Sequence, residues 1–102
     1  MKYLNQNDFQ ESVKNGVSIV DFYASWCMPC RMFGEILEEI DQEIGDKINI
    51  FKVDVDKNEE LSRQFGVMSI PTILIFKDGE MKEKHVGLWQ KEDCLDAVAK
   101  YL

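Results

Sequence analysis

Val17-Ser18-Ile19-Val20-Asp21-Phe22-Tyr23-Ala24, running on into Ser25-Trp26-Cys27-Met28-Pro29-Cys30, decides the fold. The first part is an apolar, β-branched run of strand length, the pattern of a strand covered on both faces. Beyond the second cysteine the period changes. Met32, Phe33, Ile36, Leu37, Ile40 and Ile44 recur at helical spacing, and Gly45 stands where that helix should stop. A buried strand that feeds a long amphipathic helix through a short turn is half of an α/β unit, and both cysteines of the turn lie at the strand's carboxyl end.

On either side of this unit, elements alternate. Lys2–Leu4 reads as a short first strand, and Asn7-Asp8 can cap a short helix to about Lys14, closed by Asn15-Gly16. Ile48–Val55 is the next strand. Asp56-Lys57-Asn58 can cap a helix through Phe65, closed by Gly66. Thr72–Phe76 is a further strand, Asp78-Gly79 is a strong hairpin signal, and Met81–Val86 is the returning strand. The last helix is expected from Lys91 to Leu102, with Cys94, Leu95, Val98 and Leu102 on one face. Strand–helix–strand units predict parallel pairing, and the hairpin predicts an antiparallel edge. The expected architecture is an α/β fold: a mixed sheet sandwiched by helices. With 102 residues, no repeat and no linker, residues 1–102 are expected to form one domain.

Charge and composition exclude several classes. A net charge of −7, with the acidic residues scattered, argues against nucleic acid as a main partner. An apolar fraction of 45% is that of a globular protein, and no apolar run approaches the roughly 18 residues of a membrane span. The N-terminal residues carry no apolar signal core, so a cytoplasmic location is expected unless a leader precedes this numbering. Three cysteines at uneven spacing do not form a secreted disulfide framework.

Cys27 and Cys30 therefore carry the chemistry. Cys27 falls at or near a helix N-terminus, where free N–H groups and the macrodipole favour a thiolate. Cys30 follows one helical turn later, close enough to close a small ring with it. Pro29 suits the first turn, where its missing N–H is harmless. Trp26 is either a flat docking surface for a peptide or a core residue. A metal site needs four ligands, and only Cys94 and His85 remain to supply them.

Two other features stand out. Asp21 lies inside an apolar strand, where burial should raise its pKa, and a carboxyl there could take the proton of Cys30. Lys52, in the neighbouring apolar strand, is its plausible charge partner; a purely structural pair and a snorkelling lysine are the other readings. Ile70-Pro71-Thr72 puts a proline at the start of a strand, and sequence alone does not establish its isomer.

With Trp26-Cys27-Met28-Pro29-Cys30, the upstream Asp21 and the downstream Ile70-Pro71-Thr72, the chain resembles the thioredoxin family. The resemblance extends through Lys52-Val53-Asp54, Phe65-Gly66-Val67, Phe76-Lys77-Asp78-Gly79 and Val86-Gly87. It implies a five-stranded sheet in the order first, third, second, fourth, fifth, flanked by four helices. It implies a protein-disulfide reductase in which Cys27 is the exposed attacking thiol and Cys30 the buried resolving thiol. Asp21 is then the buried acid/base group with Lys52 beside it, and Pro71 is cis against the disulfide. Trp26, Met28, Pro29, Ile70, Pro71 and Gly87 become the substrate-binding surface. No cofactor is implied on the protein itself. Electrons are expected from NADPH through a flavoprotein thioredoxin reductase. Expected substrates include ribonucleotide reductase, peroxiredoxins and methionine sulfoxide reductases, met by a monomer.

This sequence departs from the family's usual pattern at Met28, Tyr23, Glu35 and Arg31. Oxidant and isomerase relatives often carry histidine before the second cysteine, where Pro29 stands here. A non-catalytic module that docks partners on the same apolar face is the competing function. Among the remaining residues, Cys94 is expected to be a small buried hydrophobe and His85 a solvated surface residue. Met32, Phe33 and Ile36 are expected in the helix core. Trp89 and Met68 are left open between the core and the docking surface.

Overall fold

A computed structural model describes residues 1–102. Along the chain run β1 (Lys2–Tyr3), α1 (Phe9–Ser12), β2 (Val17–Tyr23), α2 (Met28–Ile44), β3 (Asn49–Asp54), α3 (Glu59–Gln64), β4 (Thr72–Lys77), β5 (Glu80–Val86) and α4 (Lys91–Ala99). The five strands form one sheet in the order β1-β3-β2-β4-β5. The β1–β3 and β2–β3 ladders are parallel, whereas β2–β4 and β4–β5 are antiparallel.

The direction of β4 differs from the expectation that strand–helix–strand units pair in parallel. A parallel crossover needs a helix long enough to return the chain along the sheet. With 6 residues, α3 spans only about 9 Å, less than half of the roughly 20 Å of a six-residue strand. The chain therefore enters β4 at the end where β2 and β3 finish, and Thr72 pairs with Phe22. This reversal carries Pro71 to the carboxyl end of β2, beside the cysteines.

The hairpin follows its sequence signal. Asp78 and Gly79 both take positive φ, 49° and 86°, the requirement of a two-residue turn matched to strand twist. Gly45 caps α2 as expected, yet with right-handed backbone (φ −60°), so it ends the helix without the left-handed turn usually supplied by glycine. The final helix stops at Ala99, and Leu102 is exposed instead of continuing the apolar face.

Alternation along the strands fills two cores. On one face Val20, Phe22, Phe51, Val53, Leu74 and Phe76 pack with Phe9 of α1 and Leu61 of α3. On the other, Ile19, Ile50, Ile73 and Ile75 pack with Phe33, Leu37 and Ile40 of α2 and with Cys94, Ala97 and Val98 of α4. Along α2 the buried positions Cys30, Phe33, Leu37 and Ile40 follow the helical period, which ties the second cysteine to the core.

Candidate active site

Cys27 occupies the N-cap of α2, with extended backbone (φ −90°, ψ 115°). Its Sγ accepts the backbone N–H of Cys30 at 3.2 Å, the role a serine or aspartate oxygen plays at other N-caps. Met28 and Pro29 fill the first two helical positions. Proline costs nothing there, and the methionine side chain projects into solvent. Cys27 and Cys30 are joined by a disulfide with their Cα atoms 5.2 Å apart. The sulfur that would become a thiolate on reduction thus sits against the positive end of a 17-residue helix.

The expectation of an exposed Cys27 is corrected. It retains 5% of its surface and Cys30 2%, because Ala24, Tyr23, Val55 and Ile70 pack around the pair. Exposure belongs instead to the flanking residues, Trp26 at 68% and Met28 at 63%. Trp26 is therefore a surface residue, and its indole N–H donates to Asp56 Oδ2 at 2.8 Å. Arg31 closes the turn from the solvent side: its Nε and Nη2 both donate to the Ser25 carbonyl, at 3.2 and 3.0 Å. Asp56 was legible only as part of a helix cap, and no local pattern links it to a tryptophan far upstream.

The loop before β4 faces the disulfide. The Ile70–Pro71 bond is cis, and the Ile70 carbonyl oxygen lies 3.9 Å from Cys27 Sγ. Pro71 is buried, and its carbonyl accepts the Gly87 N–H at 2.8 Å. Gly87 takes a φ of +96°, which explains a glycine there although a side chain would meet nothing within 4 Å. Trp26, Val55, Val67, Met68, Ser69 and Ile70 line a shallow groove of about 210 Å³ alongside. Larger hollows exist near β1, but neither cysteine lines them.

Beneath this surface lies Asp21, fully buried, with neither carboxyl oxygen hydrogen-bonded. Burial is the largest influence and pushes its pKa up to about 7; the nearby Lys52 opposes it. Lys52 Nζ is 3.7 Å from Oδ2, an ion-pair distance too long for a hydrogen bond. Register explains the meeting, since Asp21 pairs directly with Lys52 across the parallel β2–β3 ladder.

Of the residues left open, Trp89 is buried in the core and Met68 points into solvent at 96% exposure. Met32 is exposed, not core, because α2 turns it away from the sheet. His85 is also corrected. It is half-buried, its ring stacked on Trp89 with centroids 4.4 Å apart and its Nε2 3.3 Å from the Leu88 carbonyl. Cys94 is buried, and burial first, then the Asp21 charge, push its thiol up to about 12. No group of three or more His, Cys, Asp and Glu side chains is placed to hold a metal ion. No helix is long and apolar enough to cross a membrane.

A helix-capped cysteine pair under a cis-proline loop, bordered by an apolar groove and set at the end of a mixed sheet, defines a thiol–disulfide exchange protein. The thioredoxin family model matches residues 1–100. The chain belongs to the thioredoxin family. Thioredoxin of Bacillus subtilis (strain 168) is 50% identical over 94 residues, which cover 92% of this chain and 90% of that protein. Thioredoxin of Listeria monocytogenes (serovar 1/2a) is 44% identical over 102 residues, covering 100% of this chain and 99% of that protein. Among solved structures, a mutant thioredoxin from Halobacterium salinarum superposes with a TM-score of 0.89 at 34% identity, covering 97% of this chain and 88% of that one. The protein is accordingly a protein-disulfide oxidoreductase that works by dithiol–disulfide exchange, with a reductase partner and disulfide-bearing substrates. Members of this family need no bound cofactor.

Proposed function

We propose that Cys27 is the attacking thiolate and Cys30 the resolving thiol of a general cytoplasmic disulfide reductant. The reduced Cys27 sulfur attacks one sulfur of a substrate disulfide. A Cys27–substrate disulfide forms, and the first substrate thiolate leaves and takes a proton from solvent. Cys30 then gives up its proton toward Asp21 and attacks Cys27 Sγ. The second substrate thiolate leaves, and the Cys27–Cys30 disulfide retains the two-electron oxidation. Asp21 hydrogen-bonds to neither cysteine in the disulfide form, so its carboxyl is free of competing partners when Cys30 releases its proton. Lys52 keeps the carboxylate form accessible by opposing the effect of burial.

In this reading Trp26, Met28, Pro29, Ile70, Pro71 and Gly87 receive an extended substrate segment. The Ile70 backbone hydrogen-bonds that segment, as in strand addition. The chain acts as a single domain over residues 1–102 and as a monomer. A flavoprotein thioredoxin reductase recharges it with electrons from NADPH. Ribonucleotide reductase, peroxiredoxins and methionine sulfoxide reductases are its proposed substrates.

The observation that carries the proposal is the Cys30 N–H aimed at Cys27 Sγ at the head of α2. Insulin reduction tests it. Cys27→Ser should abolish turnover, and Cys30→Ser should trap substrate covalently on Cys27. Reduction that survives Cys27→Ser would instead favour a non-catalytic docking module with the same face.

A further inference from the structure

Lys52 is held by more than its carboxylate partner. Its Nζ lies 4.5 Å from the centroid of the Tyr23 ring, over the ring face. That ring is itself set edge-on to Tyr3, with centroids 6.2 Å apart at 68°. Helix α2 also approaches it: a Cβ added to Gly34 would lie 3.5 Å from the same nitrogen, ordinary van der Waals contact. Tyr23 also lines the solvent-open hollow formed with Tyr3, Asp54 and Lys57. The ring thus stands between Lys52 and water.

We propose that Tyr23 is a positioning residue that acts through Lys52, its ring face holding the ammonium over Asp21 and away from the solvent hollow beside β1. The ring supplies a negative face to a cation that makes no hydrogen bond to its carboxylate. Without it, the flexible lysine stem swings its charge outward to water, and Asp21 loses its counter-ion. The titratable groups around Asp21 are few. Lys52 comes from β3 and Cys94 from α4, while Tyr3 and Asp54 lie behind Tyr23. Helix α2 contributes Gly34 and, at its first turn, the cysteine pair.

The catalytic importance of this device rests on the proposed proton role of Asp21, so the test reads Asp21 directly and the reaction separately. The carboxyl carbon of Asp21 is followed by NMR against pH in the full chain. Tyr23→Leu should raise its midpoint by about half a pH unit, the scale of one cation–π contact. Tyr23→Phe and Tyr23→Trp, which keep a ring face, should restore the wild-type midpoint. In a Lys52→Met background, Tyr23→Leu should produce no shift, because the charge it positions is gone. Where Tyr23→Leu does not fold, Tyr23→Met supplies the same test. An unchanged midpoint, a fall of the kind water entry alone would cause, or an equal rise in the Lys52→Met background overturns the proposal. If the midpoint rises while the pH profile of insulin reduction stays fixed, Tyr23 positions Lys52 as proposed and it is the proton role of Asp21 that fails.

Discussion

On the α1/α3 face of the sheet, four phenylalanines interlock: Phe9 with Phe65 at 5.1 Å, Phe9 with Phe76 at 5.5 Å, and Phe65 edge-on to Phe76 at 5.7 Å, with Phe22 alongside. On the α2/α4 face the same strands bury Asp21 and Lys52 among isoleucines. Successive residues of one strand serve both faces, because side chains alternate with a period of two. Val20 and Phe22 enter the aromatic cluster, while Ile19 and Asp21 point the other way. The difference is instructive. The aromatic side buries no charged side chain and packs β2 through apolar contacts alone. The opposite side keeps a buried carboxyl with no hydrogen-bond partner.

Breaking the aromatic face should have the largest effect. Phe22 is fully buried, and Phe22→Ala should cost about 4 kcal/mol of unfolding free energy. The loss should be equal at pH 5 and pH 8, since the buried cluster itself is made of apolar side chains alone; denaturant unfolding at the two values checks this. A pH-dependent loss would mean that the two faces are not independent.

The polar face should behave in the opposite way. The Asp21 carboxyl is raised from 3.8 in the unfolded chain to about 7 when folded. Between those values the folded protein holds a proton that the unfolded chain has released. Stability therefore falls as pH rises from about 4 to 7 and levels off above it. Asp21→Asn removes the ionisation, so it should stabilise the protein at pH 8 by on the order of 3 kcal/mol and have almost no effect below pH 4. Unfolding curves of the two proteins across pH should converge on the acid side. If they run parallel, the carboxyl is not buried in its charged form.

How much of this was legible in the sequence follows the range of each interaction. The change of period at Cys27–Cys30 is local, and it located β2, the turn and α2. Asp78-Gly79 is local too, and the hairpin formed there. Asp21 could be singled out because a carboxylate in an apolar run is anomalous wherever it occurs. The direction of β4 was not legible, because it depends on the span of α3 relative to the strands. The burial of Cys27 depends on Ile70, which arrives from a distant loop. Met32 and His85 differ from expectation for a related reason. Periodicity gives the apolar side of an element but not its width, and the stack of His85 on Trp89 needs a turn at Gly87 that brings them together. Tyr23 stood out only as a departure from the family's habit, and its contact with Lys52 depends on strand register.

The smallest expected effect lies at the rim where the two faces end. Trp26 projects beyond β2 and Asp56 beyond β3, and their 2.8 Å hydrogen bond joins residues that neither core covers. An exposed bond of this kind contributes about 1 kcal/mol or less, so Asp56→Ala should leave the unfolding free energy nearly unchanged. Its effect should fall on docking. A tethered indole presents its face to substrate at no further entropic cost, whereas a free one must be immobilised on each encounter. The KM for a protein disulfide should rise roughly threefold with kcat preserved, and Trp26→Ala should make Asp56→Ala silent. A fall in kcat instead would mean that Asp56 acts on the buried carboxyl and not on the docking surface. The rim would then belong electrically to the polar face, and the separation between the two sides of the sheet would extend to the surface.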